Sequence, residues 1–460
     1  MGIGHSSCFS VPHEPLRVDI VHKGASQPES TFSVSDIPQR FIYTLTFEDL
    51  EEKGERGKGS FGVVLDAVEF SEADPDVERA VAVKKSARET EHESLRNERN
   101  ILATLDHPHI VRLFATAWTL PTAQVMENCM DGELFALISK IGPLPEETAK
   151  SYFRQILLAL NHLHAVMRIV HRDLKPENVL LSNNKKTVKL CDFGTAVKLG
   201  TGRNARATGR IGSLSYAAPE VYESAHADFS SDMWSSGVLL YVMMCAASPF
   251  RCSEDQLPEQ AAVERVKRGD LNKKRAQWKQ MHAGPKRLIL RLLTVDATHR
   301  LKAAEALQDP WILQSLNKAE FDRVAALAVP MLDRFARLGD SETRQCWAAA
   351  ASQMPDWEKG RNWFELMDAD DDGIIGFYDL SALEYPVSFQ KCTFGFSEFV
   401  GAVLMSTDRS EREQLLRTVL PFAYQAVKSE LHSINDYAQF KQLILNTPAI
   451  TELDQSTAIV

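Results

Sequence analysis

The stretch GKGSFGVV sets Gly57, Gly59 and Gly62 in the pattern GxGxxGxV. Residues without a Cβ let a backbone approach a polyphosphate closely enough for its amides to donate to the oxygens. Dinucleotide-binding turns share this glycine pattern, but they open a helix. Here apolar, β-type sequence continues through GVVLDAVEF to RAVAVKK, so a strand follows the glycines. Lys84, closing VAVK on that next strand, can hold phosphate oxygens electrostatically and needs a carboxylate to position it. Glu98 in LRNERNIL meets that need, because Leu95, Ile101 and Leu102 recur at helical spacing and turn one face, with the acid, toward a core.

Two further stretches concentrate polar groups: HRDLKPENVLL from His171 and CDFGT from Cys191, followed by YAAPE ending at Glu220. In order and spacing these motifs make the chain resemble the eukaryotic protein kinases from about Phe41 to Leu313. The resemblance implies an α+β bilobal fold, with a β-rich N-lobe and a helical C-lobe, and phosphoryl transfer from ATP with Mg2+. By the same resemblance, Asp173 orients the substrate hydroxyl and accepts its proton, Asn178 and Asp192 hold the metal ions, and Lys84 paired to Glu98 holds the α and β phosphates. Val64 and Ala82 fall above the adenine ring, Leu180 below it, Met126 behind it, and the backbone of Glu127 and Cys129 along its edge. None of the catalytic acids or amides is substituted, which weighs against a pseudokinase scaffold.

Lys175, two residues after Asp173, resembles the serine/threonine branch of the family, in which that lysine also steadies the transferred phosphate. Glu133 and Glu177 match positions where calmodulin-kinase-like enzymes hold an arginine upstream of the phosphorylated residue, implying protein substrates with Ser or Thr near basic residues. Either glutamate could instead cap or solvate a helix start. The segment from Gly194 to Ala218 carries Arg203, Arg206 and Arg210 and no acid, so phosphorylation at Thr201, Thr208 or Ser213 is expected to supply negative charge there. Packing alone could hold the same loop. Asp232 resembles the acid that braces the catalytic loop, and Arg300 is positioned to pair with Glu220.

A different chemistry stands further on, in MDADDDGIIGFYDL. On the EF-hand template Asp368, Asp370 and Asp372 fill positions 1, 3 and 5, Gly373 makes the turn, Ile374 lends its carbonyl, and Ile375 is the apolar eighth residue. Asp379 closes the loop where glutamate is usual; one methylene shorter, it weakens the site toward Ca2+ and favours tolerance of Mg2+. Downstream, FGFSEFVGAVL resembles the closing half of a second hand, with Phe394 and Glu398 at positions 8 and 12. Its positions 1, 3 and 5 would be Val387, Phe389 and Lys391, which cannot ligate calcium in the usual way.

A kinase domain followed by an all-α, EF-hand-like domain resembles the calcium-dependent protein kinases of plants and protists. In that family the segment after the kinase domain blocks the cleft until calcium refolds the tail, and Leu316 to Met354 corresponds to it. The connector here is not basic, and Pro330 is expected to interrupt its first helix. Calcium as a modulator is therefore expected rather than a four-site switch; the alternative is a constitutive kinase whose tail stabilises it or docks a partner.

Length and charge frame these sites. The 460 residues exceed one ordinary core. Of the net charge of -10, most lies beyond Leu313, where 22 acidic residues face 13 basic ones. With no basic stripe and an acidic tail, a nucleic-acid partner is not expected. Seven scattered cysteines without a CxxC pair suggest neither a disulfide framework nor a zinc site and fit a reducing cytosol. The start MGIGHSS matches the pattern that exposes Gly2 for myristoylation, with Cys8 placed for a palmitate, so a cytoplasmic monomer held on a membrane by two lipids is expected. The expected order is a flexible leader over 1–40, the kinase domain over 41–313, a connector over 314–354, an EF-hand pair over 355–405 and a helical tail over 406–460.

Overall fold

The computed structural model describes residues 42–45, 47–59, 62–86, 92–117, 122–200, 214–224, 227–250, 259–313, 318–338, 342–354, 357–368, 371–375, 379, 393–407, 409–428, 431, 434 and 436–446. The chain divides into two compact units that do not follow linear order. Among the described residues, one holds 130–313 and the other holds 42–129 with 318–446.

The second unit is built on a six-stranded sheet. Its strands are β1 (Tyr43–Thr44), β2 (Leu50–Gly59), β3 (Gly62–Phe70), β4 (Glu78–Ser86), β5 (Leu113–Ala117) and β6 (Thr122–Glu127), in the order β1-β5-β6-β4-β3-β2. Helix α1, His92–Leu102, leaves the sheet after β4, and its buried residues Leu95, Glu98, Ile101 and Leu102 form the face read from the sequence. The β2–β3 hairpin closes on Gly59 and Gly62. Gly62 has φ 147°, and a Cβ on it would collide with the carbonyl oxygen of Lys85, so glycine is required there by the fold as well as by any phosphate.

The C-terminal residues of the same unit form a helical module. Its helices are Lys318–Arg337, Glu342–Ser352, Glu358–Met367, Phe396–Ser406, Arg409–Leu416, Leu420–Val427 and Tyr437–Asn446. Trp347, Phe335, Phe364, Phe394, Phe399 and Phe440 fill its core. The helix Lys318–Arg337 continues past Pro330 without a break, contrary to the sequence expectation. A proline forfeits one backbone hydrogen bond, but Val324, Ala325, Ala328, Val329, Leu332 and Phe335 on this helix are buried in the core, and tertiary packing offsets the loss. The connector is thus a core element of the module.

Arg412 is fully buried in that module. Its guanidinium donates to the carbonyls of Met405 at 2.8 Å, Thr407 at 2.8 Å and Ile444 at 3.1 Å, and lies 5.2 Å from the Trp347 ring. The acceptors lie in or just beyond the last turns of two helices, where carbonyls lack helical partners.

In the first unit, Glu146–Asn161 and Phe229–Cys245 are the long buried helices. Two short pairings, Val179–Ser182 with Thr187–Leu190 and Ile169–Val170 with Val197–Lys198, fix the loops between them. Arg300 donates to both oxygens of Glu220, at 2.7 and 2.9 Å, and stacks 5.1 Å from the Trp234 ring. That is the pairing expected from the sequence. Among the described residues no helix is long and apolar enough to cross a membrane.

Replacing Arg412 by methionine keeps the bulk and strands the carbonyls it serves. The expected outcome is a loss of about 3 kcal/mol in denaturant unfolding of the full chain, with little change in helical circular dichroism before the transition.

Candidate active site

In the sheet-bearing unit, β4 carries Lys84 and α1 carries Glu98, and Nζ meets the glutamate Oε2 at 2.7 Å. Lys84 is 6 % exposed and Glu98 1 %, so each charge depends on the other. Strand register pairs Val64 with Lys84 and Ala82 with Met126. Cross-strand partners share a face, so the cation lines one side of the sheet with Val64, Ala82 and Met126. Gly57 pairs with Val64 on the outer strand. Glu127 and Cys129 are buried at and just after the end of β6, and the Cys129 carbonyl accepts from Arg56 at 3.3 Å.

Sequence reading missed Gln124 on β6, buried opposite Lys84 in register, which donates to the Leu95 carbonyl of α1 at 2.6 Å. It ties the glutamate-bearing helix to the sheet. A glutamine inside the apolar TAQVME strand was the available signal.

In the other unit, Asp173 Oδ2 accepts from Lys175 Nζ at 2.7 Å and from Asn178 Nδ2 at 3.0 Å. The same Asn178 amide donates to the Asp173 carbonyl at 2.7 Å. Burial opposes the charge on Lys175, yet the ion pair and hydrogen bond with Asp173, with Glu177 and Asp192 beyond, raise its pKa. The site therefore keeps its ammonium.

The loop holding Asp173 hangs on Asp232. Its carboxylate accepts the His171 amide at 2.8 Å, the Arg172 amide at 2.9 Å and a His164 ring nitrogen contact at 2.9 Å. Arg172 adopts φ 68° and Asp192 φ 62°, a left-handed conformation costly for such residues, on the order of 1 kcal/mol each. His171 reaches the Cys191 carbonyl at 3.1 Å and packs with its ring tilted against Phe193, while Arg172 donates to the Thr195 carbonyl at 2.6 Å. These contacts hold the backbone on both sides of Asp192.

Glu177 lies in the Pro176–Asn178 turn. Burial first, then the Glu177 and Asp173 charges, pushes the Tyr216 hydroxyl well above its ordinary pKa. A small pocket beside them is lined by Asp173, Tyr216, Ala217, Ala218 and Ser235. Glu133 is exposed at the start of helix Leu134–Ile141, where its side chain makes no capping bond, and its backbone bridges to Leu180.

The chain matches the protein kinase domain family over residues 50–312. The chain belongs to the protein kinase family. It is 32 % identical to calcium-dependent protein kinase 3 of Plasmodium berghei (strain Anka) over 298 residues, 64 % of this chain and 52 % of that protein. It is likewise 32 % identical to calcium-dependent protein kinase 10 of Arabidopsis thaliana over 335 residues, 71 % of this chain and 59 % of the relative. Serine/threonine-protein kinase 33 of Bos taurus is 32 % identical over 269 residues, 56 % of this chain and 53 % of its own. The chain thus spans between half and three fifths of the length of these relatives.

Beyond the kinase domain, both oxygens of Asp368 accept loop amides, from Asp372 at 3.1 Å and Gly373 at 2.8 Å. Gly373 takes φ 83° in this turn. Burial, then the charges of Asp372, Asp371 and Asp379, raise the Asp368 pKa well above the usual carboxylate range. Ile375 and Phe394 exchange backbone hydrogen bonds of 3.0 and 2.9 Å. Among the described residues no group of three or more His, Cys, Asp or Glu converges as a metal site. Asp370 lies outside the described residues, as do Thr201, Thr208, Ser213, Gly2 and Cys8.

Asp232 offers a clean test of the catalytic-loop brace. Burial alone would raise its pKa, but the His164 hydrogen bond and charge, the His171 charge and the His171 amide together hold it below the ordinary value. A depressed folded pKa contributes stability above the unfolded value, near pH 4, that is lost as pH falls through the folded one. Asp232→Asn is expected to cost about 2 kcal/mol at neutral pH, and chemical denaturation below about pH 4 should show a shallower acid loss than in the parent.

Proposed function

We propose that the chain is an ATP-dependent serine/threonine protein kinase that prefers substrates with basic residues and is regulated by calcium through its C-terminal module. The observation that carries the catalytic reading is the Asp173 carboxylate held between Lys175 and Asn178. A carboxylate so held is aimed rather than mobile, which suits a group that must orient a hydroxyl and take its proton. Lys175 stands beside it to balance charge on the transferred phosphate.

Lys84, fixed by Glu98, is the cation for the α and β phosphates. Asn178 commits its NH2 to Asp173, which leaves its amide oxygen as the donor suited to Mg2+, and Asp192 supplies the second acidic ligand. Bound magnesium would neutralise phosphate charge during transfer. Glu133 and Glu177 are the carboxylates that would pair with a basic peptide.

The calcium reading rests on the 368–379 loop. Acids crowded around the buried Asp368 favour an ion that relieves their repulsion, and Asp368, Asp370, Asp372, the Ile374 carbonyl and Asp379 are the donors. The Ile375–Phe394 exchange supports an EF-hand pair, because it joins the eighth positions of the two loops. In the second loop Glu398 binds Arg344 at 2.5 and 2.9 Å, a guanidinium in place of an ion.

Phosphorylation of a serine peptide with upstream arginines should require Asp173, falling at least a thousandfold in Asp173→Asn. Rates measured from chelated to saturating free calcium should change in the parent and stay level in Asp368→Ala. Equal, calcium-independent rates in both would leave a constitutive kinase.

A further inference from the structure

The loop joining α1 to β5, residues 103–112, is unusual for a connection: Asp106, His107, His109 and Arg112 are all buried. The sequence DHPHIVRL interleaves them with apolar residues. Buried polar groups require partners, and the C-terminal module supplies several.

Asp106 accepts from the Ser397 amide at 2.7 Å and from its hydroxyl at 2.8 Å. Both donors belong to the first turn of helix Phe396–Ser406, where backbone amides lack helical partners and the dipole favours an anion. This is the closing helix of the second EF-like loop, in which Val387, Phe389 and Lys391 stand at positions 1, 3 and 5. Arg344, bound to the adjacent Glu398, offsets the second carboxylate there.

His109 meets Glu365 at 3.1 Å, on the helix that ends at Asp368. Arg112 donates to the carbonyls of Met354 at 2.9 Å and Ala351 at 3.3 Å, and lies 5.0 Å from the Phe396 ring.

The strand bearing Lys84 is gripped as well. Arg79 on β4 lies between the rings of Phe114 and Phe422, 4.0 and 4.1 Å from their centroids, and donates to Gln353 at 2.9 Å. Phe422 and Ala426 share one apolar cluster with Val81, Val83, Ala115 and Val125 of the sheet. Each element of the Lys84–Glu98 pair is therefore held from the module: α1 through the loop that begins where it ends, and β4 through Arg79.

We infer that the C-terminal module is a built-in activator of the kinase, clamping the 103–112 loop so that α1 keeps Glu98 on Lys84. The clamp acts with or without an ion. Its sign is opposite to that of a segment that blocks a cleft, because loosening it lowers activity. The inference rests on reading Lys84–Glu98 as the phosphate-holding pair.

The test uses the full chain with Ser397→Ala, Asp106→Ala and Arg112→Met; Arg112 meets Glu127 through its backbone amide and carbonyl, which the substitution keeps. Loss of these bonds should lower kcat for the serine peptide roughly tenfold or more. Amide hydrogen exchange along His92–Leu102 should speed by a similar factor, and Ser397→Thr, which keeps the hydroxyl, should restore both. If Asp106→Ala fails to fold, the Ser397 pair carries the test alone. Unchanged or raised activity with unchanged exchange in α1 would overturn the clamp. Faster exchange in α1, with no phosphotransfer even by the parent, would uphold the clamp and sink the catalytic reading of the pair.

Discussion

A buried lysine and a buried glutamate can coexist only if each stays within reach of the other, and Lys84 and Glu98 sit on different elements, a strand and a helix. An unpartnered charge at either position would cost several kcal/mol. The surrounding structure must therefore hold helix to sheet at fixed distance. Leu95 and Leu102 press α1 inward, and Gln124 ties its backbone to β6. The buried polar loop that follows α1 is satisfied by groups from the far end of the chain.

The first unit meets a similar constraint with a different device. Asp232 gathers the backbone amides of His171 and Arg172 onto one carboxylate, and this holds Arg172 in a left-handed conformation next to Asp173. Strain of that kind persists only where its surroundings over-determine it. His171 and Arg172 then fix carbonyls on either side of Asp192, so one buried acid organises both acidic positions assigned to catalysis.

Much of this was legible in the sequence because it rests on short-range patterns. The 3.6-residue periodicity around Glu98 gave the buried face of α1, and the apolar β-type run after the glycines gave strand β3. Ile375 and Phe394, counted as equivalent positions in two loops, do exchange backbone bonds. Pro330 shows the limit of local reading: its cost is real, but a helix with an apolar stripe facing a large core absorbs it. Gln124, Asp106 and Arg112 went unassigned because a polar residue in an apolar run has no meaning until its partner is known.

The sequence by itself determined the family and the alternation of strand and helix, since each depends on residue type and spacing within a few turns of chain. Only the tertiary structure decided that residues 318–446 complete the unit containing the sheet. The reason is physical: the partners of Asp106 and Arg112 lie more than two hundred residues away, and no periodicity connects groups at that separation. Burial of a charge is a property of the whole fold, and it selected which distant acid, amide or carbonyl each polar residue required.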